Sequence, residues 1–140
     1  MLINEIQNEI IEEFNSFDDW MDRYSLLIEY GNSLEAFPEA DRTEENLIDG
    51  CQSKVWFTAE MKDGKVLYHG DSDAILVKGI VALLIRVWNG HTPQEIVESE
   101  LYFIDEISLR EHLSPTRSNG LNAMLRKMIE YAYHYNTQQN

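Results

Sequence analysis

A single cysteine, Cys51, leaves no partner for an intramolecular disulfide, so nothing points to an oxidising compartment. The same count excludes a four-cysteine zinc site, or an iron–sulfur cluster held by this chain alone. No two histidines stand at the i,i+3 or i,i+4 spacing of a helical zinc motif. Basic residues are scarce: 11 Lys and Arg stand against 25 Asp and Glu, a formal net charge of −14. Such a field repels phosphate backbones and anionic membranes, which argues against nucleic acid or a membrane as partner. It favours a protein with a basic or mixed face, in an association that weakens in salt. Long hydrophobic runs are missing too. The most apolar segment, Ala74 to Trp88, is 15 residues long and contains Lys78 and Arg86, too short to span a bilayer. Near the N-terminus Glu5 stands where a signal peptide would carry lysines. The expectation is a soluble, cytoplasmic protein.

What is present suffices for one folded domain over residues 1–140, 44% hydrophobic, with a core that needs no staples. Ile3, Ile6, Ile10 and Phe14 recur at helical spacing. Ser16 is positioned to cap a second helix, with Asp18 and Asp19 in its first turn and Gly31 as its stop. These two acidic helices are expected to pair with each other. Residues 32–50 look irregular. Val55 to Lys62 alternates, Asp63-Gly64 is a strong hairpin signal, and Lys65 to His69 returns as the second strand. Gly70-Asp71-Ser72-Asp73 then reads as a break that opens a largely buried central helix, Ala74 to Trp88. Asn89-Gly90 ends it, and Thr92-Pro93-Gln94-Glu95 starts the next helix with a capping box. One or two short helices follow between Leu101 and Leu113. A last helix carries Leu121, Met124, Leu125, Met128, Ile129 and Ala132 on one face, and the tail from Asn136 to Asn140 is expected to fray.

A lone cysteine is by default a small buried hydrophobe. Cys51, however, follows the turn dipeptide Asp49-Gly50 and precedes Gln52 and Ser53, outside any apolar-periodic run. A loop leaves the sulfur able to meet another molecule, as nucleophilic or sulfur-transfer chemistry requires. Lys54, Lys78 and Arg117 are candidate cations for a thiolate or persulfide anion. A Cys–His hydrolase using His69 is the rival reading, but no nucleophile signature or oxyanion arrangement accompanies it.

The stretch Ile48-Asp49-Gly50-Cys51-Gln52-Ser53-Lys54-Val55-Trp56, preceded by Asp41-Arg42 and Asn46, resembles the cysteine-loop signature of the SufE family. Gly70-Asp71-Ser72-Asp73-Ala74, Val77-Lys78-Gly79, Thr92-Pro93, and the run from His112 to Leu121 resemble its other blocks, in order, so the likeness extends from about Trp20 to Met128. The resemblance implies an α+β fold: a small antiparallel sheet, the hairpin of about 55–69 plus one more strand, packed against several helices, as in IscU-type scaffolds. It implies a sulfur carrier. Cys51 would take the terminal persulfide sulfur from a pyridoxal-phosphate cysteine desulfurase, SufS-like or CsdA-like, and stimulate that enzyme. The sulfur would pass to a SufBCD-like scaffold that assembles iron–sulfur clusters. The pyridoxal phosphate belongs to the desulfurase, and no cofactor or metal is expected in this chain. Arg117 would support the loop or its anion, with Asp73 and Lys78 as further supports, and Gly50 would let a sheltered loop open. A monomer or weak homodimer is expected. The alternative is a non-covalent regulatory adaptor that docks without using its thiol.

Overall fold

A computed structural model describes residues 1–138. Helix α1 (Ile3–Asn15) and helix α2 (Trp20–Asn32) come first. Strands β1 (Val55–Lys62) and β2 (Lys65–Ser72) form the hairpin. Helices α3 (Ile75–Trp88), α4 (Pro93–Glu98), α5 (Phe103–Glu106) and α6 (Pro115–Gln138) follow. Asp63 and Gly64 both have positive φ, 53° and 77°, as the two-residue turn demands. The α+β class is as expected, with a two-stranded antiparallel sheet packed against helices.

The expected third strand is reduced to a single bridge between Leu47 and Trp56. Both hairpin edges are occupied by other groups. On β1, Ile48 N donates to Val55 O at 2.9 Å, and the hydroxyls of Tyr131 and Tyr135 donate to the carbonyls of Phe57 and Ala59 at 3.2 and 3.0 Å. On β2, Val66 exchanges hydrogen bonds with His91 and Gly90, and Tyr68 N donates to the Asn89 side chain. These groups cover much of both edges where a further strand would pair.

β2 also runs three residues beyond the expected end at His69. Gly70, Asp71 and Ser72 pair with Phe57, Trp56 and Val55, so this segment continues the sheet instead of breaking it. A side chain at Gly70 would collide with Phe57 and Val81, which is why glycine stands there. The apolar helix α3 is the centre of the core, as its composition predicts. Val77, Ile80, Val81, Leu83, Leu84, Val87 and Trp88 are all buried. Sheet and helix share one cluster with Phe14, Phe57 and Phe103. Each such aromatic contributes on the order of 1.5–3 kcal/mol by burial.

The two N-terminal helices are not chiefly a pair. α2 packs on α3, and α1 packs on α3 and α5. Gly31 lies within α2 rather than stopping it, and it faces Gly79 of α3, where a methyl group would overlap the Leu27 carbonyl. The helix backbones touch here. Ser16 closes α1 instead of opening α2, with its hydroxyl donating to Glu13 O; Asp19 is the N-cap of α2 and accepts from Met21 N at 2.9 Å. The capping box at Thr92 forms as expected. α6 begins at Pro115, so the run from Thr116 to Gly120 is helix, and it continues through Asn136 to Gln138; residues 139–140 of the expected fraying tail lie outside the described residues. No described helix is long and apolar enough to cross a membrane.

Candidate functional site

The cysteine loop is closed at its base by the Ile48–Val55 hydrogen bond and the Leu47–Trp56 bridge. Between these ends the chain turns at Gly50, whose φ of 92° lies where other residues are strained. The loop lies along the first turns of α6. A β-carbon at Gly50 would stand 3.5 Å from that of Ala123, an ordinary contact, so the backbone conformation, not space, requires glycine there.

Cys51 is half-buried against α6. Its Sγ lies 3.5 Å from the Gly120 carbonyl, within reach of a weak S–H donation. A β-carbon at position 120 would sit 3.3 Å from Sγ, so glycine in this helix makes the seat for the thiol. Around the sulfur, Val55, Val77, Thr116, Arg117 and Met124 line a cavity of about 20 Å³, room for roughly one water-sized group. Burial pushes the Cys51 thiol above its ordinary pKa. The resting sulfur is therefore a neutral thiol, sheltered and weakly nucleophilic.

The sequence-predicted residues divide by where their groups go. Arg117 lines the cysteine cavity and makes no ion pair among the described residues. Asp73 holds the loop's exit: its carboxylate accepts from Lys54 N at 3.0 Å, and its own N–H donates to Lys54 O at 3.2 Å. The Ser72 hydroxyl donates to the same carbonyl at 2.8 Å. Lys54 is exposed and unpaired among the described residues. Lys78 is directed elsewhere, with Nζ 3.4 Å from Asp71. His69 pairs with Glu60 on the sheet and does not line the cysteine cavity, and among the described residues no histidine or carboxylate does. The Cys–His arrangement is therefore not assembled.

Sequence reasoning missed two features. One is Gly120, whose role depends on a thiol 69 residues away. The other is the ion pair of Arg42 with Asp71, which Lys78 flanks. Burial raises the Asp71 pKa, but the hydrogen bonds from Arg42 and Ser72 N and the nearby cations outweigh it and hold the carboxyl below its usual range. The Arg42 guanidinium stands 5.0 Å from the Trp56 ring and 5.5 Å from Phe37. It ties residues 37–42 over the face of β1 that alternation alone would leave to solvent, which is why Trp56 is buried. Asn46 braces the same segment by donating to Asp41 O at 2.8 Å. Of the blocks quoted for the resemblance, Asp41-Arg42 with Asn46, the segment Gly70 to Ala74 and the start of α6 frame one loop, whereas Thr92-Pro93 caps α4 and Gly79 lies at the α2–α3 crossing. Among the described residues no cluster of His, Cys, Asp and Glu suits a metal ion.

A protein-family model described as "SufE: Fe-S metabolism associated domain" matches residues 8–132. An uncharacterised SufE-like protein of Synechocystis sp. is 46% identical over 120 residues, covering 86% of this chain and 76% of that one. Another from Rhizobium meliloti is 39% identical over 126 residues, covering 86% and 90%. The solution structure of a hypothetical protein from Thermus thermophilus superposes with a TM-score of 0.77 at 25% identity, covering 94% of this chain and 96% of that one.

Proposed function

Since the chain belongs to the SufE family, a domain of Fe–S metabolism, we propose that it is a sulfur acceptor whose working atom is Cys51. The observation that supports this is the seat of the thiol: one cysteine on a framed loop, against a glycine, beside an uncommitted arginine. The donor is a persulfide on the cysteine of a pyridoxal-phosphate desulfurase, SufS-like or CsdA-like. The Cys51 thiolate attacks the outer sulfur of that persulfide. A new S–S bond forms on Cys51, the donor's S–S bond breaks, and the donor thiolate leaves and takes up the proton that Cys51 gave. No external oxidant or reductant is consumed. The loaded chain then carries its sulfur to a SufBCD-like cluster scaffold.

In the resting geometry burial alone shifts the thiol, and it shifts it upward. Attack requires the loop to leave the Gly120 seat, which restores solvent and brings the pKa down toward the ordinary thiol value of about 8.5. Gly50 is the pivot, and Asp73 holds the exit of the loop in place. Arg117 lines the cavity that the sulfur leaves, so it is positioned to pair with the thiolate or persulfide anion when it forms. Clearing the donor's persulfide is what stimulates the desulfurase.

The test is desulfurase turnover, measured as alanine released from L-cysteine, with the wild-type chain and with Cys51→Ser. The serine variant is expected to fold normally and to give no stimulation. Full stimulation by it would replace covalent acceptance with a non-covalent adaptor role.

A further inference from the structure

The whole-chain charge points to a basic partner, but cations gather around the cysteine loop, with Asp49, Asp73 and Glu130 as the acids beside them. From His112 to Ile129 there is no Asp or Glu, in a chain with 25 of them. The loop and this stretch, residues 46–54 and 112–129, carry four cations against the single acid Asp49; the remaining residues carry 7 cations against 24 acids. The four are Lys54, Arg117, Arg126 and Lys127. Of the chain's seven other cations, Arg42, Lys78, Arg86 and Arg110 are each tied to a carboxylate, while Arg23 and the hairpin-tip lysines Lys62 and Lys65 have no ion pair among the described residues. The four near the loop have no ion pair among the described residues.

Their placement follows from the way the loop lies on α6. Cys51 contacts Gly120 and Gly50 faces Ala123. Arg117 therefore sits at the cysteine end of the loop. At the other end Arg126 and Lys127 line a groove of about 250 Å³ with Leu47, Ile48 and Asp49. Asp49 and Glu130 line that groove too, without closing an ion pair on either cation. The Lys127 ammonium instead lies 5.1 Å from the Tyr131 ring. Surface cations held apart from the available carboxylates remain free to meet charge on another molecule.

We propose that Lys54, Arg117, Arg126 and Lys127 form a basic collar that docks the cysteine loop onto an acidic face of the desulfurase. The inference rests on the sulfur-acceptor reading, and it names the chemistry of the partner's surface. The collar supplies attraction at the one place where contact is productive, while the acidic remainder repels contact elsewhere and so orients the encounter.

The test is the association rate on immobilised cysteine desulfurase for four proteins: wild type, R126E/K127E, the milder R126Q/K127Q, and a control, K62E/K65E. The control reverses two exposed lysines at the hairpin tip and changes net charge by the same amount as the collar reversal. R126E/K127E is expected to associate about tenfold more slowly, with R126Q/K127Q intermediate and the control within about twofold of wild type. The deficit should shrink at high salt, where the Debye length falls to about 3 Å at 1 M. Unchanged association of R126E/K127E overturns the proposal, and so does an equal loss in K62E/K65E, which would make net charge the cause. Sulfur loading of Cys51 at saturating concentration is measured alongside. Wild type that binds but never loads refutes the carrier reading and leaves the collar test intact; wild type that loads, with collar variants that bind normally, refutes the collar alone.

Discussion

Gly120→Ala probes the seat of the thiol directly. Two opposing effects set its outcome. Alanine in place of glycine in a helix gains about 1 kcal/mol. Against this, the new methyl would stand 3.3 Å from Cys51 Sγ, inside the usual optimum of about 3.5–4.0 Å for non-bonded atoms, so the sulfur must move by a few tenths of an ångström. The motion sacrifices the weak S–H donation to the Gly120 carbonyl, worth no more than about 0.5–1 kcal/mol. The two nearly cancel, and Tm should move by no more than about 4 °C. Reactivity should change far more. Each unit by which the displaced thiol's pKa relaxes raises the thiolate fraction at pH 7 about tenfold. The assay is iodoacetamide alkylation of Cys51 against pH, beside a thermal melt. Wild type should react slowly, with a midpoint above that of an ordinary thiol, and G120A several-fold faster at neutral pH with a lower midpoint. An unchanged rate and midpoint in G120A would refute the seat.

Other outcomes follow from the frame. Gly79→Ala should destabilise the fold by roughly 3 kcal/mol, the upper range for overpacking, because the methyl meets the Leu27 backbone carbonyl rather than a side chain that can rotate. Urea melts should show it, and a loss below about 1 kcal/mol would mean the α2–α3 contact is softer than its geometry. Acid should weaken the protein through two carboxylates. The hydrogen bond from Arg86 is the largest influence on Glu13, which Tyr30 also contacts, and holds its pKa low; Asp71 is held low against its burial by Arg42, Ser72 N and Lys78. Both are lowered on folding, so their contribution is complete above the unfolded carboxylate values of about 4 and is lost as pH falls through the lowered folded values. Asp71→Asn should therefore lose less stability than wild type as pH falls below about 4, and parallel acid curves would contradict that ion pair's role.

Local patterns in the sequence reach as far as local physics does. The hairpin turn, the Thr92 cap and the buried α3 are short-range, and each stands where the pattern puts it. The end of β2 was not legible, because Gly-Asp-Ser looks like a break until Asp71 is seen paired with Arg42, 29 residues earlier. The partners of α1 and α2 were hidden for the same reason: an acidic amphipathic face shows that a helix packs, not against what. Gly31 reads as a helix stop, and only its contact with Gly79 shows that it is a crossing point. At the site, Cys51 stood out because Asp-Gly precedes it outside any apolar run. Gly120 carries no such signal, since a close approach to a distant sulfur leaves no pattern of its own.

The central claim, that Cys51 takes sulfur, is tested most directly by intact mass. The chain is incubated with a cysteine desulfurase and L-cysteine, then measured before and after reductant. The account predicts a gain of one sulfur atom on Cys51 that reductant removes. A chain that stimulates turnover yet gains no mass would contradict it.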